Sequence, residues 1–172
     1  MARNLELKLK MESHAKVINC IKKIKAEYIG LLKQKDTYYK IPKGLLKLRS
    51  VNGKYELIKY LRDEKGKKRW SDYEVLTLEG KNPEKYFSQL FKIDIVVEKK
   101  RELYLYKGTR IHLDTVKGLG KYLELETVVD KNLKDAEIRF AETVKLLELD
   151  LSRQIKASYK NLLEKNDSLK RK

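Results

Sequence analysis

Asn4-Leu5-Glu6-Leu7-Lys8-Leu9-Lys10 alternates strictly, leucine against a polar or charged residue at every step. A period of two places the leucines on one side of a strand and Glu6 and Lys8 on the other. The same pattern returns downstream. Lys47 and Arg49 alternate with Leu46 and Leu48. Lys99 and Arg101 share a face of a long run from about Asp94 to Tyr106. Beyond a turn at Lys107-Gly108, the run Thr109 to Val116 sets Arg110, His112 and Asp114 on one face and Ile111 and Leu113 on the other. Gly118 and Gly120 flank a further turn before Tyr122 to Val129, where Glu124 and Glu126 alternate with Leu123 and Leu125.

Between these runs the pattern changes. Ser13 stands before Ala15, Ile18, Ile21 and Ile24, whose spacing predicts a helix ending near Gly30; His14 and Cys20 beside it read as structural or solvated. From Thr37 to Leu78 β-rich runs are broken at Pro42-Lys43-Gly44, Asn52-Gly53 and Lys65-Gly66. Asn52-Gly53 is a strong hairpin signal because both residues tolerate positive φ. Asn82-Pro83 opens a second helix with Tyr86, Phe87, Leu90 and Phe91 as its expected buried stripe. From Leu133 a helical period runs through Phe140, Val144, Leu147, Leu151, Ile155, Tyr159 and Leu162. The pattern is a mostly antiparallel sheet with helices outside it, an α+β domain.

The chain has 172 residues and a formal net charge of +16, from 41 Lys+Arg against 25 Asp+Glu. That length suits one domain, read as residues 1–166 with a basic tail at 167–172. Hydrophobic residues make up 41%, too many for a disordered chain despite the charge. No run of about 18 uncharged apolar residues predicts a membrane span. The first residues lack the apolar core of a secretion signal, and the single cysteine excludes an intrachain disulfide and a cysteine-built metal site. A soluble cytoplasmic protein without membrane contact is expected, as monomer or homodimer. The positive charge calls for a polyanionic partner.

Any one of these charged strand faces could simply meet water. The set argues otherwise, because acids cluster at Glu6, Asp114, Glu124 and Glu126 and bases at Lys47, Arg49, Lys99, Arg101 and Arg110. In a closed sheet alternate residues point into the lumen, where ionised groups need neutralising. Carboxylates there would hold Mg²⁺ or Mn²⁺ rather than zinc, and Arg and Lys match phosphate oxygens. At an effective dielectric near 20, each contact at about 4 Å is worth roughly 4 kcal/mol before desolvation. A metal-bridged polyphosphate fits both halves.

Asn4-Leu5-Glu6-Leu7-Lys8 resembles the ExExK signature of the CYTH domain, the triphosphate tunnel metalloenzymes. The similarity continues in family order through Asp36-Thr37-Tyr38-Tyr39, Leu46-Lys47-Leu48-Arg49, Ser71-Asp72-Tyr73 and Val97-Glu98-Lys99-Lys100-Arg101. Thr109 to Asp114 and Gly118 to Glu126 extend it. Ser158-Tyr159-Lys160-Asn161-Leu162-Leu163 resembles the end of the class IV adenylyl cyclase-like subgroup. The resemblance implies an eight-stranded antiparallel barrel, open as a tunnel, with helices outside. It implies a divalent metal on Glu6, Glu124 and Glu126, assisted by Asp114, and phosphate contacts from Lys8, Lys47, Arg49, Lys99, Arg101 and Arg110. One further base is expected between Tyr55 and Arg62: the subgroup pattern favours Arg62, with Lys59 on the opposite parity. Asn4 departs from the signature, which has glutamate there.

Two reactions suit such a tunnel: hydrolysis of inorganic or organic triphosphate, and cyclisation of ATP to cyclic AMP and pyrophosphate. Glu6 would orient the attacking water, Lys8 would grip phosphate, and His112 would shuttle a proton or orient Asp114 or a phosphate. No stretch reads as a base pocket, which favours hydrolysis. A nucleic-acid partner or RNA 5′-triphosphatase activity has some support in Lys and Tyr interleaved at 58–60, 85–87 and 104–107. A silent triphosphate-binding protein is the remaining alternative, raised by Asn4.

Overall fold

The computed structural model describes residues 2–62, 69–130 and 132–170, the side chains of residues 2, 60–62, 69–71 and 170 excepted. Eight strands form a closed antiparallel barrel in the order β1-β5-β4-β3-β2-β6-β7-β8. In chain order these are β1 (Ala2–Met11), β2 (Glu27–Tyr39), β3 (Leu45–Val51), β4 (Lys54–Arg62), β5 (Arg69–Leu78), β6 (Ile93–Tyr106), β7 (Thr109–Val116) and β8 (Gly120–Val128). The helices are α1 (Ala15–Lys23), α2 (Pro83–Leu90), α3 (Leu133–Leu146) and α4 (Tyr159–Lys170). None is long and apolar enough to cross a membrane.

Alternation sorts the chain into two apolar zones around a polar one. The outward leucines of β1 and β8, with Ile111 and Leu113, pack beneath Val17, Cys20 and Ile21 of α1 and Val144 and Leu147 outside the barrel. At one end of the lumen Tyr38, Ile58, Val97, Val116 and Tyr122 close on Tyr159 and Leu163 of α4. The polar zone lies between.

Several local expectations change. Helix α1 stops at Lys23, because Lys25 takes a left-handed φ of 54° and Ala26 N–H returns to Ile21 O at 3.2 Å. His14 occupies its cap position, with Ser13 Oγ accepting from Ala15 N, and Val17, Cys20 and Ile21 form its buried face. Gly30 instead marks a register shift between β2 and β6, at φ 147°. In α2 Asn82 does cap, accepting from Lys85 N at 3.1 Å. Tyr86 and Leu90 are exposed, however; Phe87 and Phe91 pack on Tyr39. The long C-terminal period divides at Glu148, whose left-handed φ of 52° ends α3 before a 3₁₀ turn at Leu151–Arg153.

That divided segment also packs against β1. Among the described residues, strand β1 pairs with β5 from Ala2 to Glu6 and with β8 from Asn4 to Met11. Ile155 N–H donates to the Lys8 carbonyl at 2.8 Å, and Lys8 Nζ donates to Ala157 O at 2.9 Å. Residues 154–157 are thus held beside Lys8 on β1.

Leu7 and Leu125 are fully buried register partners in the outer core. Leu7→Ala should therefore cost about 2–5 kcal/mol in urea denaturation, through lost transfer energy plus a cavity. A loss under about 1 kcal/mol would mean that the core has collapsed around the gap.

Candidate active site

The even positions of β1 and their counterparts face the lumen. Glu6 stands opposite Glu126, Lys8 and His112 opposite Glu124, Arg110 opposite Glu126, and Arg101 opposite Asp114. One cavity of about 270 Å³ is lined by Asn4, Glu6, Lys47, Arg49, Glu56, Tyr73, Arg110 and Glu126, among others. A smaller one of about 50 Å³ lies deeper, against Lys8, Asp36, Lys99, Arg101, Glu124 and Tyr159. Of the residues expected in the site, Glu6, Lys8, Lys47, Arg49, Lys99, Arg101, Arg110, His112, Asp114, Glu124 and Glu126 come together on this inner face.

Lys59 does not. It is exposed on the outer face, in register with Leu46 and Glu74, because β4 turns Glu56 and Ile58 inward beside Arg49 and Lys47. The strand position of Arg62 shares the parity of Ile58, but its side chain lies outside the described residues.

The expected separation of acids from bases is corrected too. Asp114 accepts from Arg101 Nε and Nη2 at 2.6 Å each, from Lys99 at 3.2 Å and from the Tyr159 hydroxyl at 2.9 Å. Both of its oxygens are thus engaged by Arg101, Lys99 and Tyr159, so it anchors these groups. Asp36 repeats the arrangement on β2, accepting from Lys47 and Arg49 at 3.0 Å each and from Gln34. Burial alone would raise both carboxyls; the facing Arg49 and Lys47, and Arg101 and Lys99, more than offset it and hold both well below the ordinary range. Burial and Arg49 push the Lys47 ammonium down to about 8.

Asp36 and Tyr159 lie in stretches that carry the family resemblance but were given no site role by the sequence. Asp36 shares strand parity with Gln34 and Tyr38, a faint signal. Tyr159 read as helix core, yet its ring lies 4.0 Å from Lys8 Nζ and 4.9 Å from Lys99 Nζ, a cation–π floor under two ammonium groups.

Of the remaining acids, Glu6 and Glu126 line both cavities and Glu124 the smaller one. Glu124 pairs with Lys8 at 3.2 Å and Arg101 at 2.5 Å, and Glu126 Oε2 with Arg110 at 3.0 Å. Ligand atoms of His112, Glu124 and Glu126 lie within 4.8 Å of one another. Burial and the Arg101 charge push the His112 imidazole down to about 3, so it is neutral near pH 7. The Asn4 amide, turned to satisfy both neighbours, accepts from Arg110 at 3.0 Å and donates to Arg3 O. The donor set fits a divalent cation: two carboxylates two residues apart, with a buried imidazole nitrogen that has no hydrogen-bond partner among the described residues.

Asp114 contributes stability above its unfolded pKa of about 3.9, and that contribution fades as pH falls through the depressed folded value. At pH 7, Asp114→Asn should cost about 3–5 kcal/mol, since it strands two buried cations. In chemical denaturation the gap to the unmutated protein should begin to narrow below about pH 4. A gap constant from pH 7 to pH 3 would contradict the ion-pair assignment.

The comparisons agree with this geometry. A Methanocaldococcus jannaschii protein provisionally named an adenylate cyclase is 28% identical over 169 residues, covering 92% of this chain and 97% of its own. The PH1819 protein of Pyrococcus horikoshii is 28% identical with a TM-score of 0.69, over 94% of this chain and 99% of its own. A Hippeastrum protein, called an adenylyl cyclase and described as having a dominant triphosphatase activity, shares the fold at 15% identity and a TM-score of 0.67, over 96% of both chains. The family model for the CYTH domain matches residues 2–159, and the chain belongs to that family.

Proposed function

We propose that this protein is a divalent-metal-dependent enzyme that hydrolyses a phosphoanhydride bond of a triphosphate substrate. The observation that carries the reading is the convergence of Lys8, Lys47, Arg49, Lys99, Arg101 and Arg110 on one enclosed lumen beside Glu124 and Glu126. A monophosphate carries too little charge to engage that many bases. Glu124 and Glu126 would hold the metal, with Glu6 opposite Glu126. Bound Mg²⁺ or Mn²⁺ supplies Lewis-acid charge neutralisation and lowers the pKa of water.

The chain's own groups do the rest. Lys8, Lys99 and Arg101 hold the deeper phosphates, anchored from behind by Asp114 and Tyr159. Lys47 and Arg49 hold the outer ones, anchored by Asp36. These bases are set before substrate arrives, so they absorb charge on the leaving diphosphate with little reorganisation. Glu6 orients water toward the terminal phosphorus; the new P–O bond forms as the bridging P–O bond breaks.

A second reading has its own observation. Leu32, Val51 and Leu103 line a mouth of about 410 Å³ beside Arg101, Arg110 and His112, room for a nucleoside. There an ATP 3′-hydroxyl attacking the α-phosphorus would release pyrophosphate, in keeping with the name of the archaeal relative. The Hippeastrum protein pairs a cyclase name with triphosphatase activity, so names decide little.

Purified protein incubated with Mg²⁺ or Mn²⁺ and either inorganic triphosphate or ATP should yield orthophosphate and a diphosphate by mass spectrometry. Cyclic nucleotide with pyrophosphate would establish the second reading instead. Glu126→Gln should reduce metal-dependent turnover by 10²-fold or more with the melting temperature retained; full activity would refute the metal assignment.

The depressed Lys47 ammonium gives an independent readout. At pH 9 much of it is neutral in the free protein, and a triphosphate alongside would restore its proton. Triphosphate binding should then be accompanied by proton uptake, seen calorimetrically as an enthalpy that varies with buffer ionisation heat. The uptake should disappear in Lys47→Met, and its persistence there would exclude Lys47 as the source.

A further inference from the structure

Two buried side-chain nitrogens in the lumen, Arg110 Nε and His112 Nδ1, lack a hydrogen-bond partner among the described residues. Of the two residues only Arg110 has an ion pair at hydrogen-bonding distance, to Glu126 at 3.0 Å. The His112 side chain is almost fully buried on β7. Glu126 Oε1 is 3.7 Å away from Nδ1. That is too long for a hydrogen bond. It suits two donors on one ion, since atoms each about 2.1 Å from a shared cation lie roughly 3 to 4 Å apart. Glu126 uses its other oxygen, Oε2, for Arg110, which leaves Oε1 turned toward the imidazole. Register places His112 directly across from Glu124, so both carboxylates flank the same nitrogen.

We infer that His112 is itself a ligand of the divalent cation, its Nδ1 joining Glu124 and Glu126 in a mixed nitrogen-and-oxygen site that favours a first-row transition ion over Mg²⁺. The inference rests on the metal-dependent reading above and goes beyond it. Mg²⁺ prefers oxygen donors and retains its waters, whereas imidazole nitrogen raises affinity along the series from Mn²⁺ onward. Asn4 sharpens the effect: its neutral amide oxygen is engaged with Arg110, so position 4 brings no carboxylate to favour the harder ion.

The chain contains two histidines, and His14 lies apart from this site, with Nε2 3.0 Å from the Tyr122 carbonyl. A nitrogen signal from bound metal is therefore assignable. Chelator-treated full-length protein, without substrate, is titrated with Mn²⁺ and then with Mg²⁺, and the Mn²⁺ state is examined by pulsed electron paramagnetic resonance. The expected result is one bound Mn²⁺ with a ¹⁴N coupling that converts to ¹⁵N on biosynthetic histidine labelling. His112→Gln should lose the coupling and weaken Mn²⁺ binding tenfold or more, while Mg²⁺ binding changes less than threefold. Labelling of the unmutated protein gives the answer even if the variant folds poorly. Bound Mn²⁺ without nitrogen coupling would overturn the ligand assignment and leave the carboxylate metal site standing. Equal losses for both ions would overturn the selectivity, and no Mn²⁺ uptake at all would overturn the metal site with it.

Discussion

Burial of charge inside a closed barrel is the constraint on which the rest of this molecule depends. Ionised side chains cannot line a lumen unless each is compensated. Here compensation is internal: Asp36 holds Lys47 and Arg49, Asp114 holds Lys99 and Arg101, Glu124 holds Lys8, and Glu126 holds Arg110. The acids fall into two kinds. Asp36 and Asp114 are almost wholly buried and each accepts at least three hydrogen bonds, while Glu124 and Glu126 keep part of their side chains exposed. Anchors fix where the bases point; the glutamates can exchange partners.

Such a lumen brings no apolar stabilisation of its own, so the apolar work is done elsewhere. Strict alternation turns Leu7, Leu123 and Leu125 out against α1 and α3, and that outer core closes one side of the barrel. A second cluster, led by Tyr38, Tyr122 and Tyr159, plugs one end. Tyr159 belongs to both systems. Its hydroxyl donates to Asp114, its edge meets Tyr122 at 5.1 Å, and its face lies under Lys8. One side chain thus ties the apolar plug to the floor of the polar zone.

The alternating strands were legible because period two is a local property, and with it the inward set from Glu6 to Glu126 could be read. Closure into eight strands came from the family resemblance, since strand order is not local. What misled were positions where backbone conformation breaks a periodic pattern. Lys25 and Glu148 adopt left-handed φ without being glycine, so the ends of α1 and α3 carried no clear mark, and Gly30 looked like a helix stop when it marks a bulge. Tyr86 and Leu90 kept helical spacing but stand exposed among the described residues. Within the site, charge signs were readable and pairings were not. The segregation of acids from bases along the sequence becomes interleaving in space, because antiparallel register sets Asp36 beside Arg49 and Asp114 beside Arg101.

This interleaving bears on how an already neutralised lumen can accept a polyanion. A phosphate alone must compete with Glu124 and Glu126 for Lys8, Arg101 and Arg110, and a cation alone must compete with those bases for the carboxylates. On the proposed reading, the two arriving together would exchange partners, the cation taking the glutamates and the phosphates the released bases, with little change in the number of compensated charges. The two ligands would then be coupled through shared residues, each raising the affinity of the other by the same factor. Asp36 and Asp114 stay outside the exchange, because several simultaneous hydrogen bonds hold each of them. The division of labour among four carboxylates thus follows from how deeply each is buried and how many hydrogen bonds hold it.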